Sequence, residues 1–247
     1  MPTQLVFISS PVSFPDIRDM NQIESFLKVM LVIHIAGGTL ALITGLGAML
    51  TKKGSKTHRT FGKVYFWSMT VVFIGALALA IGHHLTFLLM VAFFSYYMTV
   101  RGYRILYLKN LANGQKPNYI DWIITGVSGV FIVFLFFWGG YVLIQGEYMG
   151  IVGMVFGVTG SSFLYQDLKN FFGPPPEKMH WWYGHIASMG GSYIAAVTAF
   201  IVVNFYIGQF NFMLWILPGF IGGFLISSTI RKYKARFEAA SLKIRSR

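Results

Sequence analysis

Residues 119–144 read YIDWIITGVSGVFIVFLFFWGGYVLI, with Asp121 as the one charged side chain in the run. A helix that crosses a bilayer needs about 20 consecutive, mostly apolar residues. This stretch exceeds that length, so it sets the class: an all-α, polytopic membrane helix bundle.

The same pattern extends outward in both directions. Apolar runs recur at 26–50, 61–83 and 85–107 before it, and at 150–172, 182–207 and 212–230 after it, which makes seven spans. Of 247 residues, 55% are hydrophobic and 11% charged, whereas a soluble domain carries about 25% charged residues. A soluble globular enzyme and a disordered chain are both excluded. With no Cys in the sequence, disulfides, thiolate nucleophiles, Cys-ligated zinc and Cys-ligated iron–sulfur clusters are excluded as well. Gly37, Gly38, Gly45 and Gly47 in the first span, and Gly219, Gly222 and Gly223 in the last, serve close helix approach. Pro218 is expected to kink the last span.

Three regions follow. Residues 1–25 form an extracytoplasmic tail with no basic n-region and no signal-peptide core. A surface helix from about Asp16 to Lys28 leads from it into the first span. Residues 26–230 form the seven-helix membrane domain, and 231–247 a basic tail.

Basic residues sort by side. Lys52, Lys53, Lys56, Arg59 and Lys63 follow span 1. Arg101, Arg104, Lys109 and Lys116 follow span 3, and Lys169 and Lys178 follow span 5. Arg231, Lys232, Lys234, Arg236, Lys243, Arg245 and Arg247 close the chain. Of the 20 basic residues only Arg18 and Lys28 lie elsewhere. Basic loops stay in the cytoplasm, which puts the N-terminus outside and the C-terminus inside. The net charge of +12 is therefore a topology signal, not nucleic-acid binding. In the tail, Tyr233, Phe237, Ala240 and Ile244 share one face between basic residues, a pattern suited to anionic inner-leaflet lipids. Compact loops and the lack of a signal peptide favour a bacterial inner (plasma) membrane.

A faint repeat appears on sliding the chain by 122 residues. Lys56-x-His58-x-x-Phe61-Gly62 falls on Lys178-x-His180-x-x-Tyr183-Gly184, with Gly38 on Gly160, Leu42 on Leu164 and Leu46 on Leu168. Span 4 would link two three-helix units of equal orientation, a 3+1+3 arrangement known in some transporters.

The six His carry most of the chemistry. His34 lies about 12 Å below the outer surface, eight residues into span 1. His83 and His84 occupy the outer turn between spans 2 and 3. His58 and His180 sit at the inner mouths of spans 2 and 6, and His185 lies about 7 Å deeper than His180. Imidazole is a common metal ligand and titrates near neutral pH. An ionisable group within a span is a site hypothesis by default. His34, His84, His58, His180 and His185 are thus the candidate cofactor ligands. Asp167, in the inner half of span 5, is the proton-linked candidate, with Lys169 or His185 as its expected partner. Asp121 and Glu147 are expected to be solvated. No nucleophile elbow, Walker loop, HExxH or catalytic carboxylate pair is present. Span 7 lacks a Lys, which excludes a retinal Schiff base.

His34-Ile-Ala-Gly37-Gly38 with Ala41-Leu42 and Gly45, followed by Lys56-Thr-His58-Arg59-Thr-Phe61-Gly62-Lys63-Val-Tyr65, resembles the family of polytopic membrane proteins catalogued as domain of unknown function 2306, mainly over residues 30–110. More remotely, a His at a span mouth followed by Gly is similar to the transmembrane b-type cytochromes. That second resemblance implies haem b near each face, ligated by His from two spans. The sequence reading is a histidine-ligated haem or metal binding redox membrane protein. A small-molecule or proton-coupled transporter and a non-catalytic scaffold or sensor are the alternatives.

Overall fold

The computed structural model describes the backbone of residues 17–245 and the side chains of residues 21–239. Of the tail expected over 1–25, residues 1–16 lie outside what is described, as does Arg247, and of Ala240 and Ile244 only the backbone is described. The described chain is α-helical, with no strand among the described residues. Seven long helices follow one another: α1 (Ile17–Leu50), α2 (Lys56–Gly82), α3 (Thr86–Arg104), α4 (Tyr119–Ile144), α5 (Met149–Phe172), α6 (His180–Asn204) and α7 (Asn211–Arg245).

Six of them, all but α3, are long and apolar enough to cross a membrane. Their outward faces stay apolar: Ile144, Val203 and Phe172 are each about 80% exposed. Water would not tolerate such a surface on a monomer, and lipid would. This is the composition of an integral membrane protein.

α3 falls below that apolarity because its final turns carry Arg101 and Arg104. Its position explains how the bundle tolerates them. α3 packs against α2, α4, α5 and α6, so its side chains face protein. Its first half supplies Met90, Phe94, Tyr97 and Met98 to a buried cluster with Ile132, Leu135 and Leu164. Aromatic stacks thicken this layer, with ring centroids 3.6 Å apart for Phe93–Phe131 and 5.0 Å for Phe94–Phe156.

Local signals fix the helix ends. The Ser55 side chain caps α2 by accepting from the His58 N–H at 3.2 Å. Asn118 and Asp121 form a capping box at the start of α4: the Asp121 N–H donates to Asn118 Oδ1, and the Asn118 N–H to Asp121 Oδ2. Between α2 and α3 the chain turns at His84, which has φ 55°.

Glycine sets the tightest helix pair. A Cβ on Gly153 of α5 would stand 2.8 Å from Gly139 Cα of α4, and one on Gly157 would stand 2.6 Å from Phe136 Cβ. Neither position has room for a side chain, so the α4 and α5 backbones touch.

The expected repeat has no counterpart in the packing. α1 lies along α2, whereas α5 lies along α4 and makes little contact with α6. The helix expected from about Asp16 runs straight into the first span as one helix, and α7 continues unbroken into the basic tail as far as Arg245. That extension is anchored to protein: the Tyr233 and Phe237 rings pack on Trp182 with centroids 5.5 and 6.1 Å away. Lys234 pairs with Glu177 at 2.6 Å. The apolar stripe expected to face lipid is, at these two positions, covered by α6.

Candidate functional site

The second half of α3 faces inward with polar side chains, and they meet partners from α5 and α6. Arg101 Nε donates to Asp167 Oδ1 at 2.7 Å, and Tyr97 Oη donates to Asp167 Oδ2 at 2.7 Å. A second guanidinium nitrogen of Arg101 donates to Ser188 Oγ on α6. The Arg101 and Asp167 side chains are 4% and 10% exposed. Three helices are therefore pinned together by one buried ion pair. The Phe163 ring covers the guanidinium at 5.0 Å.

One turn further toward the basic end of the bundle lies a second pair. Arg104 donates to both carboxylate oxygens of Asp121, through Nε at 2.9 Å and Nη2 at 3.1 Å. Asp121 was expected to be solvated, but its side chain is only 2% exposed. Its helix-start position places it over the α3 C-terminus, where the capping box holds it for Arg104.

Between the two pairs is a small cavity of about 20 Å³, bordered by Tyr97, Arg101, Arg104, Asp121, Thr125 and Asp167. The buried side chains of Leu108 and Leu111 close it toward the basic end. On the other side of Arg101, hydroxyls take over. Ser192 Oγ lies 2.6 Å from Thr99 Oγ1 and 2.7 Å from Tyr65 Oη. Ser188 and Ser192 stand one turn apart on α6, so the ion-pair centre and the hydroxyl triad are stacked. Beyond them the aromatic layer around Phe94 closes the interior.

The candidate histidines are placed differently from one another. His58 and His185 meet, with ring centroids 6.3 Å apart and planes at 76°. His58 Nδ1 lies 2.9 Å from Ala48 O, and His185 Nδ1 lies 2.8 Å from Gly102 O. A carbonyl only accepts, so Nδ1 carries the hydrogen in each ring and Nε2 is left over. Lys53 also donates to Ala48 O, at 3.2 Å. Burial pushes the Lys53 ammonium below its ordinary pKa.

His180 does not join them. Its Nδ1 and Nε2 face the carbonyls of Glu177 and Leu108, at 3.2 and 3.0 Å. Neither nitrogen is free to ligate. His34 Nδ1 donates to Val72 O of α2 at 2.9 Å, a link within the α1–α2 pair. Val72 is about 16 Å along α2 from the turn that carries His83 and His84, so the outer ligand set is not assembled. His84 is exposed and serves as the turn residue. Among the described residues no group of three His, Asp or Glu side chains could hold a metal ion.

Asp167 was expected to pair with Lys169 or His185 and instead pairs with Arg101. Depth carried the missing signal. Arg101 lies a turn inside the end of span 3, and Asp167 lies at matching depth in span 5. Counting Arg101 with the loop cations hid the match. Tyr97, Ser188, Thr99 and Ser192 carried no separate signal, because single hydroxyls are ordinary in membrane helices. Comparison with protein-family models, with curated proteins and with solved structures gives no match.

Proposed function

We propose that this chain is a proton-coupled membrane carrier whose coupling centre is the Arg101–Asp167 pair. In this reading the chain crosses a bacterial plasma membrane seven times, with α3 as the inner helix and the basic end in the cytoplasm. The observation that carries the reading is the burial of an ion pair at the junction of three helices, α3, α5 and α6. Ionisable groups at such a place mark ion and proton pathways by default.

The chemistry follows from the geometry. While Asp167 is ionised, Arg101 and Tyr97 are satisfied and α3 is clamped to α5. A proton taken up on the Asp167 carboxylate cancels its charge and leaves the Arg101 guanidinium buried without a counter-ion. Breaking a buried pair in this way costs about 3–5 kcal/mol. The bundle relieves that cost by letting α3 and α5 part and water enter. Proton binding is thereby converted into helix movement, which is what coupling requires. Tyr97 keeps an acceptor on the neutral carboxyl, so it is the lost charge pairing with Arg101 that loosens α5.

The test is a pH jump on reconstituted protein on a solid-supported membrane. The wild type is expected to give a transient charge displacement, which Asp167→Asn abolishes. The double variant Arg101→Gln with Asp167→Asn, which leaves no unpaired charge, controls for folding. A folded wild type that gives no displacement ends the reading.

A second reading rests on the His58–His185 pair. His58 and His185, each with its Nδ1–H held by a carbonyl and Nε2 without a partner among the described residues, would be the residues to hold a haem at the basic end. Bound there, haem would supply one-electron chemistry. The two-haem arrangement does not fit, because His34 is not brought to His83 or His84. An absorption spectrum of purified protein, as isolated and after dithionite, checks this: no Soret band, no haem.

A further inference from the structure

The cavity between the two ion pairs has a feature that neither pair uses. Thr125, on α4, borders it and is 5% exposed. Its hydroxyl takes no partner among the described residues, although a helical Thr ordinarily donates to the carbonyl four residues back. Asn170, on α5, also borders the cavity, and its amide is likewise unpartnered among the described residues. The Thr125 hydroxyl is left open to the cavity and is not sealed in protein. It faces a space of about 20 Å³, room for roughly one water molecule.

The charges around that space decide what fits. Arg101 and Arg104 bring two positive charges, Asp121 and Asp167 two negative ones. The sum is zero, so neither a cation nor an anion is favoured. A neutral molecule with donors and acceptors on all sides is favoured. The carboxylates have lone pairs beyond those that the guanidiniums and Tyr97 use, and Thr125 and Asn170 each offer a donor and an acceptor.

We infer that the cavity is a hydration site, held by Thr125 as the positioning residue, and that it is the route by which protons reach Asp167. This rests on the proton-coupled reading above and adds the path. Arg104 is the partly exposed rim of the site, at 22%. A proton arriving from water at that rim passes to the cavity water. That water gives a proton to a free lone pair of the Asp167 carboxylate and is itself restored by the incoming one. The carboxylate becomes neutral, the water is unchanged, and no other reactant is consumed. The aromatic layer around Phe94 blocks the opposite direction, so the route opens to one face.

Two measurements on the full chain test this. A crystal structure from a lipidic mesophase, at a resolution that shows water, is expected to hold one peak. That peak should lie within hydrogen-bonding distance of Thr125 Oγ1 and of an Asp167 or Asp121 oxygen. A dry cavity overturns the inference, and so does a bound metal ion. In the pH-jump experiment, Thr125→Val keeps the shape and removes the hydroxyl. It is expected to slow the charge displacement about tenfold, the rate equivalent of one lost hydrogen bond, while the total charge moved stays at the wild-type value. Thr125→Ser is expected to restore the rate. An unchanged rate in Thr125→Val overturns the route while leaving the carrier reading intact. A wild type with no displacement removes the route together with the carrier, and the density then still decides whether the cavity holds water.

Discussion

At the scale of single residues the interior turns on Arg101. Its guanidinium is satisfied by Asp167 and Ser188 and lies buried among α3, α5 and α6. Arg101→Met is therefore expected to destabilise the protein by about 3 kcal/mol or more, because the Asp167 carboxylate is left buried and unpaired. Adding Asp167→Leu should recover most of the loss. Thermal unfolding in detergent separates the two cases, and equal melting temperatures for the single and double variants would contradict the account. His84 makes the opposite point. Its place in the sequence, in the outer turn between two apolar runs, made it a candidate ligand beside His34. The backbone shows a turn residue held at φ 55°, a conformation that costs a side chain about 1–2 kcal/mol. His84→Gly is expected to raise stability by up to about 1 kcal/mol, and His84→Val to lower it, by the same melting assay. A sequence records that two imidazoles are near in the chain. It does not record that the turn between them points them to solvent.

At the scale of helices, the six long apolar helices could be read directly, because lipid selects for apolar surface and apolar runs are visible in one dimension. The α4–α5 contact was less visible. Gly139, Gly153 and Gly157 stand out only once the helices are laid together, since Gly is frequent throughout the chain. Gly153→Leu is expected to separate α4 from α5 and to abolish a sharp unfolding transition, whereas Gly126→Ala, where added atoms meet open space, should be neutral. Circular dichroism during heating reads both. α3 was read from the sequence as a span like the other six, and it alone falls short of their apolarity. Its polar second half lowers its apolarity, and the same half builds the candidate site. The reason is common to both facts: a helix surrounded by protein is free to carry charge, and a one-dimensional hydropathy reading has no measure of what surrounds it.

At the scale of the whole molecule, the basic residues predict which end faces the cytoplasm. The sequence has no Cys, so single Cys replacements can be labelled without a background. Cys at positions 116 and 232 is expected to react only when the cytoplasmic face is opened, and Cys at positions 84 and 147 from outside in intact cells. Labelling in the reverse sense would invert the topology. The packing also revises the internal-repeat idea. Matching motifs at the mouths of α2 and α6 exist, but α5 and α6 do not sit as α1 and α2 do. A sequence shift of 122 residues aligned letters whose helices have different neighbours. Of the histidines grouped by side, only His58 and His185 come together, because side alone says nothing about which helices are adjacent.

The place of α3 also bears on how the protein is made. The helix that carries Arg101 is synthesised 66 residues before its counter-ion Asp167. A nascent chain that ends before α5 offers α3 to the lipid with Arg101 unmatched, although Asp121 of α4 is already there for Arg104. In the seven-span arrangement the insertion machinery therefore receives a segment that cannot yet commit to the bilayer by itself. Its residence there is secured late, when α5 arrives, and biogenesis passes through a stage in which the future centre of the bundle is its least settled part.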